Sequence, residues 1–151
     1  VMFVPALAGL GAPYWRSDAR GILVGLTRGS SAAHVARAVL EGIAFEVADL
    51  VDAMSNDLGR PIAELRVDGG ACANNLLMQF QSDILGVPVL RPTNIDTTAM
   101  GASMLAGIGI GMWDMPALTR LAALDRRFEP TFSDADRAQR MGAYRAAVAK
   151  A

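Results

Sequence analysis

The residues best suited to chemistry lie between 68 and 75. There Asp68-Gly69-Gly70-Ala71-Cys72-Ala73-Asn74-Asn75 follows the apolar positions Leu65 and Val67 and leads into a helical pattern. Two glycines at a strand-to-helix turn remove the Cβ atoms that would hold a ligand off the backbone. The first turn of the following helix presents N–H groups without intrahelical acceptors and the positive end of a dipole. Phosphate oxygens suit such a turn, although the same pattern also makes a plain tight connection. Asp68 could hold Mg²⁺ through water or hydrogen-bond the turn, and the second role is the simpler. Asn74 and Asn75 are weak helix formers but good at hydrogen bonding out of a first turn, so one is expected to face a ligand and the other solvent.

Other reactive residue types are isolated. His34, the single histidine, has no second histidine or cysteine near it and is expected to carry neither catalysis nor a metal. Cys72, the single cysteine, sits where a helix N-terminus could lower a thiol pKa, yet no histidine accompanies it, and it reads as a small buried side chain. Gly107-Ile108-Gly109-Ile110-Gly111 has the look of a dinucleotide fingerprint without its context. No strand precedes it, no helix follows, and it reads as a helix end and turn. Asp18, Arg20 and Arg28 are assigned at most a surface ion pair.

The elements that must position these residues alternate along the chain. Val1 to Val4 and Gly21 to Leu26 read as short apolar strands, separated by a glycine-containing loop whose aromatics Tyr14 and Trp15 are expected to pin it to the body. Ser30 or Ser31 can cap a long helix that ends near Gly59. Val35, Val39, Ile43, Val47, Leu50 and Met54 form its apolar stripe. Leu65 to Val67 reads as a strand. Ala73, Leu77, Phe80 and Ile84 line a helix that stops at Gly86, and Pro88 to Leu90 starts another strand, which makes a crossover unit. Thr97 or Thr98 can cap a third helix, whose Gly101, Ala102, Ala106 and Gly107 suggest close packing in a crowded interior. Met115 to Leu124 reads as a short helix and Arg126 to Phe132 as an extended link. Ser133 then caps a final helix with Met141, Tyr144 and Val148 on one face.

With 151 residues, 52% of them hydrophobic, the chain reads as one α/β domain. Fourteen basic and 15 acidic residues are interspersed for a net charge of −1, which gives no electrostatic footprint for nucleic acid or an anionic membrane. A single cysteine excludes an internal disulfide or a multi-cysteine zinc site. No apolar run approaches the ~18 residues of a membrane span, and Pro5 interrupts the apolar start, so the cytoplasm is the default compartment. Val1 opens in mid-strand without an initiator methionine, which suggests a piece of something longer.

Several ordered motifs together resemble the FGGY family of carbohydrate kinases, over nearly the whole of residues 1–151. Gly9-Leu10-Gly11-Ala12-Pro13-Tyr14-Trp15 and Gly21 to Leu26 are similar to a family loop and strand, and His34-Val35-Ala36-Arg37-Ala38-Val39-Leu40-Glu41 fits the second family signature. Val67 to Asn75 with Met78 to Asp83 resembles the adenosine-binding segment, and Thr97 to Ala102 the helix after it. The resemblance implies an actin-like, ribonuclease-H-like ATPase fold, with this chain as the C-terminal half of a two-domain sugar kinase that lacks its first strands. It implies ATP and Mg²⁺ as cofactors, glycerol as the acceptor through the missing N-terminal half, and a homo-oligomer. Gly70 and Asn74 match nucleotide contacts, with Gly69 and Ala71 lining the site. The family's catalytic base, polyol-binding residues and phosphate-loop threonine would all lie upstream, so no catalytic or metal residue is assigned here. A pentulose or another polyol is the alternative substrate, and a non-enzymatic actin-like half-domain the alternative class.

Overall fold

A computed structural model describes residues 1–121 and 123–151. β1 (Met2–Val4) and β2 (Ile22–Val24) pair antiparallel with Phe3 opposite Leu23. Between them, Leu10 and Arg16 exchange backbone hydrogen bonds of 2.8 and 2.9 Å and fold the intervening residues into a tight loop. Tyr14 pins this loop as expected, donating its hydroxyl to the buried carboxylate of Asp49, whereas the Trp15 indole is exposed. Arg145 donates to the same Asp49 at 2.8 Å and to Asp52 at 2.8 Å. Asp18 pairs with Arg16 at 3.4 Å, and Arg20 instead donates to the carbonyls of Ser17 and Ala19.

α1 (Ala32–Leu58) starts at the expected cap, Ser31, whose hydroxyl lies 2.8 Å from His34 Nδ1. It closes at Gly59 with φ 65°. The buried face is not the apolar stripe read from the sequence. Ala38, Gly42, Ala44, Phe45, Ala48 and Val51 face inward, while Val39, Ile43, Leu50 and Met54 stand 36 to 47% exposed. Close approach decides this: a Cβ on Gly42 would lie 2.6 Å from the Phe3 carbonyl oxygen, so only the small-residue face can meet β1.

The second sheet has the order β3-β4-β5. β3 (Leu65–Arg66) runs parallel to β4 (Val89–Pro92), and the crossover between them carries a 3-10 turn (Gly70–Ala73) and α2 (Asn75–Leu85). β5 (Leu124–Phe128) adds antiparallel to β4 with Phe128 opposite Val89. The sequence reading of an extended link from 126 missed this strand because Leu124 to Arg127 are exposed and only Phe128 is buried, so no alternation shows. α3 spans Thr97–Gly109 and α4 spans Met115–Leu121. The helix expected to reach 124 thus ends earlier, and residue 122 of that expectation lies outside the described residues.

Two expectations for α3 fail. Its cap is Asp96, which accepts from Ala99 N–H, not a threonine. Its small residues are not packed inside: Ala102 and Ala106 are exposed, and only Gly107 is buried, under the Trp113 ring. Gly107 to Gly111 is a helix end and turn, as read.

The core lies where α1, α2, β1 and α5 (Asp134–Val148) meet. Phe45 stacks on Tyr144 at 4.7 Å and meets Phe80 edge-on at 5.4 Å, and Met141 and Val148 are buried beside Tyr144 as the final-helix pattern predicts. Each such side chain contributes roughly 1.5–3 kcal/mol by leaving water. This packing fixes α2, and with it the turn that precedes α2.

Candidate functional site

The backbone bond from Val67 N–H to Leu90 C=O, 3.1 Å, carries β3 to the edge of the turn. Gly69 then takes φ 78°, open to glycine and strained for other residues, while its N–H donates to Ile95 C=O at 2.7 Å. The first bond of the 3-10 turn runs from Cys72 N–H to Gly69 C=O, so the amides of Gly70 and Ala71 precede every bond of the turn. A Cβ built on Gly69 or Gly70 would meet nothing within 4 Å. No packing inside the described residues demands a glycine at 70, and the space above it is open to another molecule.

Helix α2 does not begin directly after the glycines. Asn74 is its cap: Oδ1 accepts from Leu76 and Leu77 N–H at 3.0 and 3.2 Å. Two of the first-turn amides expected to face a ligand, those of Leu76 and Leu77, are therefore satisfied internally, and the Gly70 and Ala71 amides ahead of the 3-10 turn become the stronger candidates. Asn75 Oδ1 is not left to solvent either, because Arg91 Nη1 donates to it at 2.9 Å. Cys72 is buried as read, and burial pushes its thiol pKa up, away from thiolate reactivity.

Asp68 accepts a hydrogen bond from Thr97 Oγ1, which ties the end of β3 to the start of α3. A cavity of about 400 Å³ opens beside this pair at the carboxyl ends of β3 and β4, lined by Arg66, Val67, Asp68, Leu90, Pro92 and Thr97 among others. Ligands of parallel α/β sheets commonly bind at strand carboxyl ends. Gly69, Gly70, Ala71 and Asn74 thus form one turn next to the cavity's Asp68 wall. Among the described residues, no cluster of three His, Cys, Asp or Glu side chains is arranged to hold a metal, and no helix is long and apolar enough to cross a membrane. Arg91 is the residue that sequence reasoning missed here. A lone arginine in the apolar run Val89-Leu90-Arg91-Pro92 is the signal that could have found it.

Residues 1–110 match the FGGY family of carbohydrate kinases, C-terminal domain. The chain belongs to that family. A glycerol kinase of Myxococcus xanthus is 51% identical over 152 residues, covering all of this chain and 31% of the relative. Among solved structures, a Plasmodium falciparum glycerol kinase with ADP superposes with a TM-score of 0.88 at 37% identity, over 99% of this chain and 30% of that one. A ligand-bound xylulose kinase from Lactobacillus acidophilus gives 0.68 at 29% identity, over 97% of this chain and 29% of that one. This chain therefore spans about 30% of the length of the relatives it matches. The fold is that of the FGGY C-terminal domain, with the actin-like ATPase architecture of these kinases.

Proposed function

We propose that the chain is the nucleotide-side part of a longer FGGY kinase that transfers the γ-phosphoryl group of ATP to glycerol, giving glycerol 3-phosphate. The observation that carries this reading is the turn itself: open space over Gly69 and Gly70, with the Gly70 and Ala71 amides ahead of the first turn bond. Gly69 sets the bend, Gly70 and Ala71 donate N–H groups, and Asn74 keeps its Nδ2 free while its Oδ1 holds α2. ATP with Mg²⁺ supplies the phosphoryl group and its charge neutralisation when bound. Phosphoryl transfer needs positioning from both sides of the nucleotide. The proton acceptor and the polyol contacts are assigned to the rest of the polypeptide, together with the first strands of the domain that residues 1–151 continue.

Glycerol is favoured over a pentulose by the closer superposition on a glycerol kinase, 0.88 against 0.68 and 0.74 for two xylulose kinases. A reducing cytoplasm suits the buried, unpaired thiol of Cys72, and a homo-oligomer suits the exposed stripe of α1. The test is a comparison of this chain with the longer polypeptide. Glycerol-dependent ATP consumption is expected from the longer protein and from a panel of polyols and ketoses only with glycerol. Turnover by residues 1–151 alone overturns the assignment of the acceptor side elsewhere, and a preference for xylulose overturns glycerol.

A further inference from the structure

Arg91 touches the candidate turn from beneath. Its Nη1 donates to Cys72 C=O at 2.9 Å, to Asn75 Oδ1 at 2.9 Å and, more weakly, to Ala73 C=O at 3.3 Å. Its Nε donates to Asp125 Oδ2 at 2.7 Å, and the guanidinium lies 5.3 Å from the centre of the Phe128 ring. The side chain is only 12% exposed. One planar group therefore joins three elements: β5 through Asp125 and Phe128, the end of the 3-10 turn through two carbonyls, and the first residue of α2 through Asn75. The carbonyls at the end of a helical turn have no partners within it and carry partial negative charge, which a cation there satisfies.

We propose that Arg91 is a positioning residue for nucleotide binding: it holds the Gly70–Ala73 turn on the sheet so that the Gly70 and Ala71 amides and Asn74 are set before the nucleotide arrives. The proposal rests on the reading of this turn as a nucleotide contact. It assigns Arg91 no contact with the nucleotide itself, because its Nη1 and Nε face the turn and Asp125. Lysine cannot replace it. A single ammonium on a flexible stem lacks the fixed fork that reaches the turn and Asp125 at once.

The test uses the longer polypeptide with Arg91→Lys and, separately, Asn75→Ala, which removes one acceptor of the clamp and leaves Arg91 in place. ADP affinity is measured by titration calorimetry, hydrogen exchange is followed at the amides of residues 72 to 77 without nucleotide, and the KM for glycerol is measured alongside. Expected are an ADP Kd raised about tenfold for Arg91→Lys and about threefold for Asn75→Ala, faster exchange confined to this segment, and a glycerol KM within about twofold of the parent. If Arg91→Lys does not fold, Asn75→Ala decides alone. An ADP Kd within about twofold of the parent, or ADP and glycerol affinities falling together, overturns the proposal. Gly70→Val separates the two levels. If it weakens ADP while the Arg91 and Asn75 variants do not, positioning is wrong; if it too leaves ADP unchanged, the nucleotide reading of the turn is wrong.

Discussion

At the scale of residues, the two glycines of the turn have different duties. Gly69 is required by its backbone, at φ 78°, whereas Gly70 has an ordinary backbone and empty space where a side chain would be. Gly70→Val in the longer polypeptide is therefore expected to change the melting free energy by less than about 1 kcal/mol while lowering ATP affinity at least about tenfold. Calorimetry and a thermal melt check both halves, and an unchanged ATP affinity refutes the close-approach argument. These residues were legible in the sequence because glycine and asparagine carry their geometry with them. The partners were not. Tyr14, Asp49 and Arg145 meet across separations of 35 and 96 residues, and Arg91 reaches back 19 and 16 residues to Cys72 and Asn75. No local pattern encodes such meetings, because they depend on how the elements pack.

At the scale of elements, four helix ends were readable, the cap of α3 and the end of α4 were not, and the inward face of α1 was not. Ser31, Gly59, Gly86 and Ser133 stand at the helix ends predicted for them, since a side-chain oxygen or a left-handed glycine acts within one turn. The inward side of α1 could not be read from periodicity, which tells where apolar residues align and not what covers them. Glu46 records the same packing electrostatically. Burial, then the neighbouring Asp49 carboxylate, raises its pKa above its ordinary 4.5. The folded state thus binds this proton more tightly than the unfolded chain does. Stability should fall as pH rises from 4.5 through the raised value and then level off. Glu46→Gln is expected to raise the melting temperature at neutral pH and to leave it unchanged at pH below the ordinary glutamate range. Equal gains at both pH values would mean that ionisation of Glu46 is not the cause.

At the scale of the whole molecule, the fold class and the crossover unit were visible from the order of apolar runs, and β5 was not, because its charged residues hide the pairing with β4. The family resemblance tied separate motifs into one architecture, which the superposition on related kinases bears out. The exposed row Val39, Ile43, Leu50 and Met54 on α1 has a bearing on how this 151-residue chain behaves in a tube. Apolar contact gains strength on warming from the cold and in the presence of excluded salts such as sulfate. Light scattering should therefore show association that grows from cold to room temperature and with added sulfate, and Leu50→Glu should suppress it without unfolding the chain. Scattering that ignores both temperature and Leu50→Glu would show that the row does not drive contact. Samples of the chain are best kept cold, dilute and free of sulfate.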